Sequence, residues 1–97
     1  MPRMSSEDRL RLTVAALMHA CGETQTDLAR GIRLTQGQVS RKQGGKAVWS
    51  LDDVDRVAAH FHLNVLDLLA GPTHACEQLP YARRVKMIGG RQEVIAV

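Results

Sequence analysis

Apolar residues recur every three or four positions along residues 6–71, which is the spacing of helices that bury one face. The first of these stretches covers residues 6–21, with Leu10, Val14 and Leu17 on one stripe and Gly22 at its end. Polar residues that can cap a helix precede this stretch and four later ones: Ser5 or Ser6, Thr24, Thr35, Ser50 and Asn64. The pattern predicts an all-α domain of five short helices.

Two further helices also have clear ends in the sequence. The third is expected to stop at Gly44-Gly45, because glycine lowers helix stability by about 1 kcal/mol relative to alanine. The fifth is expected to stop at Gly71-Pro72. The fourth is predicted to begin after Ser50, from apolar residues at helical spacing: Leu51, Val54, Val57, Ala58 and Phe61.

The helical periodicity of apolar residues ends after Gly71. Residues 72–80 show no periodicity and are predicted to form a linker. Two runs with β-branched residues then flank Gly89-Gly90, which is typical of a β-hairpin with a tight turn over residues 81–97. An isolated two-stranded hairpin is marginal in water, so this appendage is expected to pack on its own domain or on a second copy of the chain. The apolar residues predicted to support dimerisation are Val85, Met87, Ile88, Val94 and Ile95.

Composition narrows the class of protein. A chain of 97 residues has room for one domain and a short appendage, and with 3% aromatic residues its core must be mainly aliphatic. No apolar run reaches the roughly 20 residues of a membrane span, and the first residues lack the apolar stretch of a secretory signal. With only Cys21 and Cys76 present, a reduced, cytoplasmic setting is expected.

Catalytic and metal-binding patterns are missing from the sequence. It contains no nucleophile elbow, phosphate-binding loop or paired-carboxylate arrangement. His60 and His62 point in different directions on a helix, and neither they nor His74 and Cys76 complete a tetrahedral ligand set. We therefore expect no enzymatic activity, no metal and no cofactor.

Positive charge is concentrated in one segment. Between Asp27 and Asp52 the chain has no acidic residue, and it has five basic ones: Arg30, Arg33, Arg41, Lys42 and Lys46. Such a distribution is typical of a surface that faces phosphates. The alternative is a solvated face on a helix bundle that binds another protein.

The predicted second and third helices meet at a tight corner. Small Ala29 allows a close approach, and Ile32, Leu34 and Val39 are placed to pack inside the corner. The opposite face of the third helix carries Gln36, Gly37, Ser40 and Arg41, which have no role in a core. Glutamine and arginine side chains can each form two hydrogen bonds to a base edge, with adenine and guanine respectively.

The ordered set of residues over this corner resembles the Cro and lambda-repressor type of helix-turn-helix family, often called the XRE family. The matching elements are Thr24-Gln25, Leu28-Ala29, Thr35, Val39-Ser40-Arg41 and Gly45-Lys46, continuing through Trp49-Ser50-Leu51 to 63–69. The resemblance covers roughly residues 10–71 and implies a five-helix DNA-binding domain. It also implies a transcriptional regulator of bacterial or phage type, associated with the nucleoid.

The resemblance implies roles for individual residues. Three positions would look into the major groove and read bases: Gln36, Gly37 and Arg41. Six would lie near the sugar-phosphate backbone: Gln25, Thr35, Gln38, Ser40, Lys42 and Lys46. Backbone contacts position such a protein, and base contacts specify the sequence that it binds.

Two departures from the family pattern stand out. An Arg late in the first helix is commonly paired with a Glu near the end of the third, and those positions here hold Met18 and Gln43. Since both are neutral, no buried charge is left without a partner, and the change is expected to be tolerated. The second departure is Glu23, which stands where an apolar residue is usual and is expected to loosen the loop after the first helix.

The expected partner is double-stranded DNA. A homodimer would bind a palindromic operator with half-sites about one helical turn, ~34 Å, apart. The alternative function is an antitoxin-like interaction protein whose C-terminal segment, residues 81–97, binds a second protein.

Overall fold

The computed structural model describes residues 4–82, and all regular structure in this range is helical. The helices are α1 (Ser6–Cys21), α2 (Gln25–Ile32), α3 (Gln36–Gln43), α4 (Leu51–His60), α5 (Val65–Leu69) and α6 (Pro72–Glu77). The all-α prediction is confirmed for this part of the chain, and the first five helices lie where the sequence pattern places them.

Side-chain caps determine where the first five helices begin. In each, the oxygen of a polar side chain accepts the backbone N–H three residues further on. The distances range from 2.8 to 3.1 Å, at Ser5, Thr24, Thr35, Ser50 and Asn64. In α2, α3 and α4 the bond is reciprocal, because the third residue of the helix accepts the backbone N–H of the cap. The same short local motifs that the sequence shows therefore start the helices.

The core is almost entirely aliphatic. The largest fully buried side chains include Leu17, Leu28, Val39, Phe61 and Leu68. Burying a side chain of this kind contributes about 1.5–3 kcal/mol each. Among the described residues the buried polar ones are Thr13, whose hydroxyl donates to the Arg9 carbonyl at 2.8 Å, and Asp53. This core holds α2 and α3 in a fixed relation to α1 and α4.

The prediction of a linker over residues 72–80 is corrected by the structure. Residues 72–77 form α6, which starts with Pro72 and packs against α1 and α5. Ala75 is 0% and Leu79 2% exposed, so both belong to the core. A helix of six residues is too short to show periodicity, and a Gly-Pro pair marks the start of a helix as well as the end of one. The helical domain therefore extends past Gly71.

The apolar stripe of α4 begins outside the core. Leu51 is the first residue of α4 and is 81% exposed, although it shares a stripe with the buried Val54. At its N-terminal end, the apolar stripe of α4 thus extends beyond the edge of the core. Leu66 in α5 is 79% exposed.

No helix within residues 4–82 has the length and apolar character needed to cross a bilayer. The hairpin predicted over residues 81–97 lies outside the described residues from position 83 onwards, and so do its five predicted dimerisation residues.

Candidate nucleic-acid interface

The corner between α2 and α3 is a packed, rigid turn. Ile32 and Val39 are 1% and 0% exposed, and Leu34 packs against the core between them. Arg33 ends α2 with a φ of 64°, and the next residue, Leu34, donates its N–H to the Ala29 carbonyl at 2.9 Å. The left-handed conformation at Arg33 lets the chain reverse direction within three residues. As a result, the two helices cross with fixed geometry.

One face of α3 is packed and the opposite face is open. Val39 is the buried residue of this helix, whereas the side chains of Gln36, Ser40 and Arg41 are exposed, as is Gly37. The structure therefore brings together on one surface all three positions predicted to read bases. The buried Val39 prevents the helix from rotating about its own axis without exposing an apolar side chain.

Gly37 leaves the backbone of α3 uncovered by a side chain at this point of the surface. A Cβ atom built there would have Thr35 Oγ1, at 3.9 Å, as its nearest neighbour, so the protein itself has room for a side chain at this position. Glycine costs a helix about 1 kcal/mol relative to alanine. No steric contact within the described residues explains this cost.

Gln25 and Gln36 link the beginnings of α2 and α3. The Gln36 side-chain amide donates to Gln25 Oε1 at 3.0 Å. An amide NH₂ group has two hydrogens, so Gln36 keeps one donor and its oxygen acceptor, and Gln25 keeps its NH₂ group. The bond fixes the orientation of both amides at the rim of the open face, with a donor group on the side of α2.

Thr35 and Gln38 cap the start of α3 reciprocally. The Thr35 hydroxyl oxygen accepts the Gln38 N–H at 3.1 Å, and Gln38 Oε1 accepts the Thr35 N–H at 2.8 Å. Both bonds use oxygen acceptors, and neither uses the hydroxyl proton or the amide NH₂ group. A phosphate oxygen can only accept hydrogen bonds, so it would need the hydroxyl proton or the NH₂ group that capping does not use. Capping is therefore compatible with the backbone contacts that the sequence predicts for these two residues.

The two lysines expected at the DNA backbone have different surroundings. Lys46 is exposed in the loop after α3. The Lys42 ammonium instead donates to Asp53 Oδ2 at 2.7 Å and to the Val48 carbonyl at 2.9 Å, and its side chain is only 17% exposed. Lys42 thus lies against α4 and is not presented with Lys46.

Asp53 is charged at neutral pH despite its burial. Burial by itself raises the pKa of this carboxyl, but hydrogen bonds from the Lys42 ammonium and from the Ser50 backbone N–H and hydroxyl outweigh it and hold the pKa below its ordinary value. The carboxylate therefore compensates the charge of Lys42 within the protein.

Sequence reasoning did not anticipate the role of Gln43. Its amide donates to the Arg11 carbonyl at 3.1 Å, and its oxygen accepts the indole N–H of Trp49 at 3.0 Å. The sequence alone predicts for Gln43 only neutral packing in place of a charged residue. The signal in the sequence was the tryptophan at position 49, because the indole N–H of a buried tryptophan normally has a hydrogen-bond acceptor. In the structure Trp49 is 6% exposed.

The expectation that Glu23 loosens its loop is corrected. Its carboxylate accepts a hydrogen bond from His60 Nε2 at 2.7 Å, and its side chain is 4% exposed. Gly31 makes room for this arrangement, because a Cβ atom there would lie 2.3 Å from the His60 ring. The bond ties the loop between α1 and α2 to the end of α4.

The described residues include no group of three or more His, Cys, Asp or Glu side chains placed to hold a metal ion. The chemistry on the open face of α3 is that of amide, hydroxyl and guanidinium groups on a rigid helix. Groups of this kind suit hydrogen bonding to base edges and phosphates.

Comparison with known proteins agrees with this geometry. A family model described as the Cro/C1-type HTH DNA-binding domain matches residues 13–72. No curated protein sequence and no solved structure matches the chain significantly. The matched range begins in α1, includes the whole α2–α3 corner and covers more than half of the chain. The chain therefore belongs to the family of Cro/C1-type helix-turn-helix DNA-binding domains.

Proposed function

We propose that this protein is a transcriptional repressor that binds a palindromic double-stranded DNA operator as a homodimer and reads the major groove with α3. The observation that carries the proposal is the open face of α3, where Gln36, Gly37 and Arg41 lie exposed opposite the buried Val39. Occupancy of an operator is sufficient for repression, and it needs no additional activating surface.

Arg41 is the chief base reader in this proposal. Its guanidinium can donate two hydrogen bonds to the N7 and O6 atoms of a guanine. Gln36, held by Gln25, reads a neighbouring base with its remaining donor and its acceptor. Gly37 allows the backbone of α3 to approach the floor of the groove.

Backbone contacts set the position of α3 in the groove. We assign them to Gln25, Thr35, Gln38, Ser40 and Lys46, all of which carry donor groups around the open face. The segment from Leu28 to Leu51 contains no acidic residue, which favours approach to a polyanion. Lys42 is not among them, because its ammonium already donates to Asp53 and to the Val48 carbonyl.

Dimerisation is assigned to the C-terminal segment, residues 81–97, with Val85, Met87, Ile88, Val94 and Ile95 as the contact residues. Two-fold symmetry would place two copies of α3 ~34 Å apart, at successive turns of the same DNA face. The antitoxin-like alternative also relies on this segment, and no contact within residues 4–82 favours it.

The proposal is tested by selecting duplexes from a random library and then measuring affinity by fluorescence anisotropy. We expect a palindromic consensus. On it, Arg41→Ala should weaken binding by about 1–3 kcal/mol and remove the preference at one base pair in each half-site. The matched control is Arg9→Ala, which removes the same charge from the exposed side chain next to Gly71 and should keep the preference.

Two results would contradict the proposal. An equal loss of affinity by Arg41→Ala on all duplexes would show that Arg41 does not read a base. A wild-type protein that binds no duplex at low ionic strength would exclude the function altogether.

A further inference from the structure

The C-terminal end of α3 is held by two consecutive polar side chains that do not face the open surface. Lys42 reaches Asp53 and the Val48 carbonyl, and its ammonium lies 5.7 Å from the centroid of the Trp49 ring. Gln43 accepts the indole N–H of the same Trp49 and donates to α1. We call Lys42, Gln43, Trp49 and Asp53 the α3 brace.

The α3 brace encloses the loop that follows the helix. In this loop the N–H groups of Lys46 and Ala47 both donate to the Arg41 carbonyl, at 2.8 and 3.1 Å. These two hydrogen bonds tie the backbone of the loop that carries the exposed Lys46 to the backbone of Arg41, whose side chain is also exposed. The far end of the loop is fixed because the Val48 carbonyl accepts a hydrogen bond from Lys42 and the Trp49 indole donates one to Gln43.

We propose that Lys42 and Asp53 are positioning residues for DNA recognition, which set the orientation of α3 and of the Lys46 loop without contacting DNA. This inference rests on the proposed function. Asp53 has a side chain only 8% exposed, and the Lys42 ammonium is its cationic partner at 2.7 Å. Removing one partner leaves the other charge uncompensated in a mostly buried place, so the helix end and the loop must rearrange.

The sign of the Asp53 effect distinguishes positioning from simple electrostatics. Removal of a negative charge from a DNA-binding domain should by itself strengthen binding to a polyanion. If Asp53 positions α3, Asp53→Asn should instead weaken binding. Asparagine keeps an oxygen that can accept the Ser50 N–H, so the start of α4 is retained.

The salt dependence distinguishes the two possible roles of Lys42. A lysine that neutralises one phosphate contributes about 0.9 to the slope of log affinity against log salt concentration. If Lys42 positions α3, Lys42→Met should weaken binding and leave this slope unchanged. Methionine retains an apolar stem next to Trp49. Lys46→Ala, the matched control at the proposed phosphate contact, should lower the slope by about 0.9.

The experiment measures anisotropy of the selected operator with the full chain at several salt concentrations, for wild type and these three variants. We expect Lys42→Met and Asp53→Asn each to lose about 3- to 30-fold in affinity at unchanged slope, which is the range for residues that act without touching the ligand. Circular dichroism establishes that each variant is folded at the assay temperature. A slope lowered by Lys42→Met, or an affinity unchanged or raised by Asp53→Asn, would overturn the inference.

A second measurement is independent of DNA. Amide hydrogen exchange in the free protein should become faster at Lys46 and Ala47 in both brace variants, and should be unaffected by Arg9→Ala. Unchanged exchange would overturn the brace, whatever the binding data show. If exchange is faster in the brace variants but the wild-type protein binds no duplex, the structural role of the brace is retained and the proposed function is rejected. The two failures are therefore distinguishable.

Discussion

Replacing glycine by alanine is expected to destabilise the protein at Gly31 in α2 and to stabilise it at Gly37 in α3. At Gly31, a Cβ atom would lie 2.3 Å from Cε1 and Nδ1 of His60. The ring cannot move aside freely, because its Nε2 donates to Glu23 and its edge packs against Phe61 with ring centroids 4.8 Å apart. Gly31→Ala must therefore displace a ring that is fixed on two sides.

The magnitude follows from three contributions. Overpacking in a well-packed region costs about 1–3 kcal/mol, and the loss of a hydrogen bond to a charged group costs about 1.5–3 kcal/mol. The better helix propensity of alanine offsets about 1 kcal/mol. We expect Gly31→Ala to lower the free energy of unfolding by about 2–4 kcal/mol. In a domain of this size, that corresponds to a fall in Tm on the order of 10–30 °C.

The assay is thermal and urea unfolding followed by circular dichroism, with Gly37→Ala as the matched control. Because the Cβ atom at position 37 meets nothing closer than 3.9 Å, this control should be more stable than wild type, by up to about 1 kcal/mol. In a His60→Ala background, Gly31→Ala should no longer destabilise. A steric clash with His60 is refuted if Gly31→Ala is as stable as wild type, or if Gly31→Ala still destabilises when the imidazole is absent.

Three further outcomes are expected. Leu79→Ala should lower the free energy of unfolding by about 2–5 kcal/mol although it lies in a predicted linker, and urea unfolding showing a loss below about 0.5 kcal/mol would contradict its burial. The pKa of Asp53 is held below its ordinary value, so its contribution to stability should be present above about pH 4 and be lost as the pH falls through the lower pKa of the folded state. The stability gap between wild type and Asp53→Asn should accordingly shrink between pH 6 and pH 3, and a constant gap would be inconsistent with this linkage. Truncation after Ala82 should leave the helices folded and reduce dimerisation, whereas an unchanged mass distribution in analytical ultracentrifugation would count against a dimerising role for the removed segment.

Local signals in the sequence were sufficient for most of the fold. Capping residues act within three positions of the N–H that they bind, so Thr24, Thr35 and Ser50 locate helix starts without knowledge of the rest of the molecule. The buried Val39 and its exposed neighbours follow from helical periodicity alone. The α2–α3 corner and the open face of α3 were predictable for these reasons.

Contacts between distant residues were not predictable in the same way. Lys42 and Asp53 are 11 positions apart, and Glu23 and His60 are 37 positions apart. Nothing in the local pattern distinguishes a lysine that faces solvent from one that reaches a carboxylate on another helix. Sequence reasoning therefore assigned Lys42 to the DNA backbone by resemblance, whereas the structure shows its ammonium within the protein. The six-residue α6 was missed because too few positions carry its periodicity.

The unoccupied space above Gly37 bears on how such a protein can diverge. This position, on the open face of α3, admits a larger side chain without disturbing any packed neighbour. Under the proposed function, a duplicated copy could change its operator preference by one substitution there and become more stable at the same time. New specificity at this position would thus evolve without the compensating mutations that a change in a packed residue requires.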